Sequence, residues 1–157
     1  MPDPCKQTMD EDQLARDLIA VRVGDQDFCI DVGQVREIRA WSPVTRLPHS
    51  PPFVRGVLNL RGTVLPVVDL ASRLGLAETD LNSRPAVVVV WIDRKLVGLL
   101  VQAVFDIFSA PASTFQPTPE TGCSILAALA PQIVTFDDRV AGLLTLGGLL
   151  PEMEAVR

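Results

Sequence analysis

The chain has no tyrosine, a single histidine and few aromatics, 5% in all. A base-stacking platform for single-stranded nucleic acid wants more rings than that. Its three cysteines, Cys5, Cys29 and Cys123, are odd in number and far apart, with no CxxC and no histidine pair nearby. This spacing supports neither a disulfide framework nor a zinc site; the cysteines read as reduced thiols, with Cys29 in a strand. No uncharged stretch is both long and apolar enough to span a bilayer, since the nearest, Thr121 to Phe136, is interrupted by Pro131. The start, MPDPCKQTMDEDQ, is acidic and polar, the opposite of a signal peptide. A cytoplasmic protein is expected.

Catalytic constellations are missing too. His49 stands in a proline-rich loop beside Ser50, but adjacent residues do not make a triad and there is no GxSxG elbow. Gly142 to Gly148 lacks the Lys-Ser/Thr that charges a phosphate loop. Asp137-Asp138 is an acidic pair in a hairpin turn, which solvent satisfies. No nucleophile, base and oxyanion hole assemble. The expectation is no enzyme, no cofactor and no metal.

What is present is apolar strand text. With 157 residues, the chain is long enough to bury a sizeable core. Residues 1–13 have little to bury and read as a flexible acidic tail; residues 14–152 read as one domain. Its first part is a hairpin around Gly24-Asp25-Gln26, with Phe28, Ile30 and Val32 on one face. VREIRAW follows, a short helix running into a strand, and then the proline-punctuated loop SPVTRLPHSPP. Phe53 to Leu60 and Thr63 to Val68 form a strand pair turning at Arg61-Gly62, where glycine supplies the positive φ. Pro66 predicts an edge or bulge. Asp69 reads as the N-cap of the short helix LASRL, closed by Gly75.

After the loop ETDLNSR the pattern restarts: AVVVVWI, a turn at Asp93-Arg94-Lys95, LVGLLVQAVFDIF, the Pro-rich PASTFQPTPETG, QIVTF, a turn at Asp137-Asp138-Arg139, then VAGLLTLGGLL. SILAALA is the helical candidate of this half. Valine and isoleucine runs between short charged turns indicate an all-β protein of two β-rich halves joined near residues 75–85.

Net charge is −5, but Arg36, Arg39, Arg46, Arg55 and Arg61 face a single acid, Glu37. Glu37 is also the only acid between Asp31 and Asp69. Arg61 is either an exposed turn residue or a guanidinium at a groove edge, placed to bond a carboxylate. In the second reading Glu37 holds it there, with its aliphatic stem packed on the strand pair.

The run from Ile30 to Leu76 resembles the signature of CheW-type chemotaxis coupling proteins. The resemblance rests on Val35 with Glu37-Ile38, Thr45-Arg46-Leu47-Pro48, Pro52-Phe53, Gly56-Val57, Asn59-Leu60-Arg61-Gly62, Pro66-Val67 and Asp69-Leu70. AVVVVWIDRKLVGLLVQAVFDIF is similar to the family's second half, including Gly98 and Val104 with Asp106, so the resemblance covers about residues 16 to 151. It implies two intertwined SH3-like five-stranded β-barrel subdomains that share an apolar core, with short helices. It implies a non-enzymatic adaptor binding the cytoplasmic tip of methyl-accepting chemotaxis receptors and the regulatory domain of a CheA-type histidine kinase. Membranes would then be met only through receptors. Val35, Glu37, Gly56 and Arg61 fall where the family keeps its receptor- and kinase-facing groove; Asn59, Gly62, Asp69 and Gly98 belong to its structural motif.

The departures lie in the second half: Gln102 where the family has an acid, Thr121 to Gln132 without its usual glycine, and Leu144 to Leu150 in place of an acid-bearing last strand. An accessory CheW-like protein of a pilus- or surface-sensing system with an altered kinase contact is the alternative. A small β-barrel nucleic-acid-binding module is the second.

Overall fold

The computed structural model describes residues 15–119 and 129–148. The expected tail at 1–13, Cys5, Cys123 and most of SILAALA lie outside them. Strands β1 (Arg16–Val23), β2 (Gln26–Asp31), β8 (Ala103–Ala110), β9 (Phe115–Pro117), β10 (Gln132–Phe136) and β11 (Arg139–Leu143) form one sheet, ordered β8-β1-β2-β11-β10-β9. Strands β3 (Val35–Ala40), β4 (Val54–Leu60), β5 (Thr63–Asp69), β6 (Ala86–Ile92) and β7 (Lys95–Val101) form the other, ordered β3-β6-β7-β5-β4. The expected all-β, two-part fold is observed, with one difference in strand count. The sixth strand is the three-residue β9, inside what the sequence reads as a proline-rich loop. Pro117 is tolerated there because β9 is an edge strand.

The two sheets are interleaved along the chain. A 3-10 turn at Val32–Gln34, capped by Asp31 accepting from the Gly33 N–H at 2.8 Å, carries the chain out of the first sheet. It returns at Gln102, which splits the apolar run LVGLLVQAVFDIF into β7 and β8. Residues 75–85, read as the join between two halves, instead connect two strands of the same sheet.

This arrangement explains why β1 and β6 read as nearly continuous apolar runs. Alternate residues of β1 serve different cores: Leu18 and Ala20 pack with Cys29, Val134 and Leu143 inside the six-stranded sheet, while Ile19 and Val21 face the other way. In β6, Val87 and Val89 pack with Leu60, Leu65 and Leu100 inside the five-stranded sheet. Val88 and Val90 join Ile19 and Val21 in a core shared by both sheets. A strand buried on both faces has no polar face to alternate with.

Three hairpins turn on two residues that both take positive φ: Arg61 and Gly62, Asp93 and Arg94, Asp137 and Asp138. This is the turn whose twist suits a hairpin, and it favours glycine in the second place. Asp138, at φ 60°, is therefore a strained choice. Asp138→Gly is expected to stabilise the protein by about 0.5 kcal/mol, less than the full relief because glycine also loosens the unfolded chain. Chemical denaturation at neutral pH checks this; a lower midpoint would contradict it.

Pro66 lies in a strand that is interior overall but, as expected, is a local edge up to Pro66 on the side facing β7. Its missing N–H is harmless because β5 begins to pair with β7 only at Val67, opposite Gly98. Helix α1 (Leu70–Arg73) follows β5 directly, capped by Asp69 as expected. Among the described residues no helix is long and apolar enough to cross a membrane.

Candidate functional site

Glu37 lies on β3 and Arg61 in the turn after β4, so the two stand at opposite edges of the five-stranded sheet. A flat sheet would hold its outer strands about 19 Å apart. The Arg61 Nη2 nevertheless donates to Glu37 Oε2 at 2.7 Å, so the sheet curls enough for side chains from its two edges to reach each other. Arg39 Nη1 approaches the other oxygen, Oε1, at 3.5 Å. One carboxylate thus faces two guanidinium groups, and the hydrogen bond from Arg61 is the main reason its pKa falls below the ordinary glutamate value. The pair is therefore lost at a lower pH than that at which an unpartnered glutamate takes up its proton. Arg61 is 67% exposed, so the guanidinium is presented to solvent while its position is set by Glu37.

The turn itself is built by two further motif residues. Asn59 Oδ1 accepts from the Gly62 N–H at 2.9 Å, closing the turn from its own side chain. Val35, half-buried on β3, packs against the shared core.

Gly56 and Gly98 differ from the polar pair in being buried. A Cβ on Gly98 would stand 2.8 Å from Val87 Cγ1, so this glycine allows β6 and β7 to pack closely. A Cβ on Gly56 would stand 2.3 Å from the Thr45 carbonyl oxygen. Gly56 therefore lies beneath the Thr45 segment and cannot itself be touched by a partner. What it allows is the close approach of the Thr45 segment to β4.

Asp69 proves to be far more than a helix cap. It is 1% exposed and accepts from the Ala71 N–H at 3.1 Å, the Thr79 N–H at 3.1 Å, the Thr79 hydroxyl at 2.7 Å and Arg55 Nη2 at 3.0 Å. Arg55 also approaches Glu78 at 3.6 Å. Arg55 is the extra residue of a β-bulge in β4, which re-aims its side chain towards Asp69. The sequence signals the cap, but not this partnership, because nothing local ties Arg55 and Thr79 to Asp69.

Among the described residues, Ser50 is hydrogen-bonded and Cys29 is buried. Ser50 Oγ donates to the Leu47 carbonyl at 3.0 Å, and His49 sits exposed in the same turn. Cys29 is buried in β2, and burial, followed by the nearby Asp27 charge, pushes its thiol up to about 12. Such a thiol is unreactive at neutral pH. Among the described residues no group of three metal-ligating side chains is found. Gln102, where the resemblance would place an acid, donates its side-chain amide to Ser83 Oγ and its backbone N–H to the Arg22 carbonyl. It pins the crossing between the sheets.

The CheW-like domain matches residues 17–154, a span containing every motif residue described above. The chain belongs to the CheW-like family. Its relatives include the "Probable chemotaxis protein CheW" of Rhizobium etli, 46% identical, the match covering 89% of this chain and 90% of that protein. The "Chemotaxis protein CheW" of Rhizobium meliloti is 42% identical over 88% of this chain and 90% of its own length. The crystal structure of the scaffolding protein TtCheW from Thermoanaerobacter tengcongensis superposes with a TM-score of 0.78. At 24% identity, with 87% of this chain and 92% of that one covered, that likeness establishes the shared CheW fold.

Proposed function

We propose that the chain is a non-catalytic chemotaxis adaptor that couples the cytoplasmic tip of methyl-accepting receptors to the regulatory domain of a CheA-type histidine kinase. It works in the cytoplasm and reaches the membrane only through the receptors. The close likeness to CheW proteins over most of both chains supports this, but the single observation that carries it is the Glu37–Arg61 pair. An exposed ion pair adds little to folding stability. Here one holds a guanidinium in a fixed position facing solvent, where it can receive a partner's carboxylate or carbonyl.

Arg61→Ala and Glu37→Ala are each expected to leave the fold intact and to weaken receptor or kinase binding at least about tenfold. Loss of Glu37 acts through Arg61, which then samples many rotamers. Separate titrations of a receptor tip and of the kinase regulatory domain against wild type and both variants check this. Unchanged affinity in both variants removes the pair's role; no binding of either partner by the wild type removes the adaptor reading.

A further inference from the structure

A second feature of the five-stranded sheet is independent of the adaptor reading. Strands β5 and β7 are parallel neighbours, yet they pair only from Val67 and Gly98 onwards. Before that point Thr63–Pro66 and Lys95–Val97 do not pair with one another. Pro66 has no N–H to offer, so the opening is written into the sequence. It forms a notch of about 480 Å³ whose lining includes Val64, Pro66, Trp91, Arg36, Arg94 and Lys95. Val64 is 63% and Trp91 41% exposed, both unusual for large apolar side chains in strands.

The charge here is of one sign. Three cations line the notch, no carboxylate does, and none of the three forms an ion pair among the described residues. Asp93 occupies the adjoining turn but does not line the notch. This basic face belongs to a chain whose net charge is −5, so it attracts acid locally while the rest of the molecule repels it. The guanidinium of Arg36 lies 5.8 Å from the Trp91 ring centroid, which holds it in place over the indole.

We propose that this notch is a docking site for an extended, acidic segment of a partner protein that carries an apolar side chain between its carboxylates. The apolar residue fills the space between Trp91 and Val64, and the carboxylates meet Arg36 and Lys95 at the rim. Nucleic acid fits less well, because the Trp91 face on which a base would stack is covered by Arg36.

The test uses the full chain carrying Trp41→Phe, which leaves Trp91 as the one indole. The probe is a synthetic peptide of glutamates around a central leucine, titrated at low ionic strength. A saturable change in Trp91 emission is expected, with a dissociation constant on the order of 100 μM. Arg36→Ser with Lys95→Ser should weaken binding about tenfold, while Arg46→Ser, the same kind of change at an arginine that does not line the notch, should not. Exchanging the peptide's leucine for serine should weaken binding several-fold on wild-type protein, a readout that needs no variant to fold. No saturation, equal loss in Arg46→Ser, or indifference to the leucine overturns the proposal. Tighter binding of an oligothymidylate, lost in the Arg36/Lys95 variant, also overturns it and assigns the face to nucleic acid.

Discussion

Asp69→Ala is expected to lower the unfolding free energy by about 3–5 kcal/mol, the cost of removing one member of a buried charge pair. For a domain of this size that corresponds to a fall of about 10 °C in melting temperature. Three losses combine. Helix α1 loses its cap, since the Ala71 N–H loses the acceptor to which it is bonded. The Thr79 N–H and hydroxyl, both bonded to Asp69, are left unsatisfied in a residue only 5% exposed. Arg55, its side chain 16% exposed, keeps only longer contacts, to the Thr79 carbonyl at 3.5 Å and to Glu78 at 3.6 Å. Asp69→Asn separates these contributions, because the amide oxygen still accepts at the helix cap but no charge faces Arg55. Its cost should fall between that of alanine and zero. If Asp69 were a cap alone, alanine would cost about 1 kcal/mol; denaturant unfolding of the two variants distinguishes the cases.

The same residue shows how far the sequence can be read. The cap is a local pattern, an acid before an apolar helical turn with glycine after it, and it is legible. The Arg55 and Thr79 contacts depend on a bulge and on the path of a loop, which no local pattern encodes. The three charged hairpin turns were legible in position, because short charged breaks between valine-rich runs leave little alternative, although Lys95 and Arg139, read as turn residues, begin the strands that follow. The passage from β7 to β8 was not, because Gln102 is a single polar residue in a long apolar run and the strands on either side are buried alike. Glu37–Arg61 was legible for an unusual reason: among many arginines there is one acid, so the partner is nearly determined by elimination. Arg39 as its second neighbour was not foreseen, although its place two residues along β3 puts it on the same side as Glu37. Gly56 was legible as a motif residue, but its close contact with the Thr45 carbonyl was not, since nothing local to Gly56 brings Thr45 there.

Gly56→Ala is the second substitution with a large expected effect. Its φ of 152° lies in a region that side-chain-bearing residues rarely adopt. The strain of forcing alanine there is about 1–3 kcal/mol. Space is short as well: the added carbon would stand 2.3 Å from the Thr45 oxygen, 2.8 Å from its carbonyl carbon and 2.9 Å from Val44 Cγ2. Overpacking of this kind costs a further 1–3 kcal/mol or so, so the total is about 2–6 kcal/mol. The obstacle is backbone and cannot rotate away. Thr45 and Val57 exchange N–H to O bonds of 3.0 and 2.7 Å across this point, and relieving the clash means breaking them. Gly62→Ala provides the comparison, because Gly62 also has positive φ but nothing within 4 Å of its missing Cβ. It should cost about 1 kcal/mol, from conformation alone. Hydrogen exchange in Gly56→Ala should show faster loss at the Thr45 and Val57 amides while the β1–β2 amides stay protected. Equal costs for the two glycines would mean that the Thr45 segment yields freely, and that Gly56 is required only for its backbone angle.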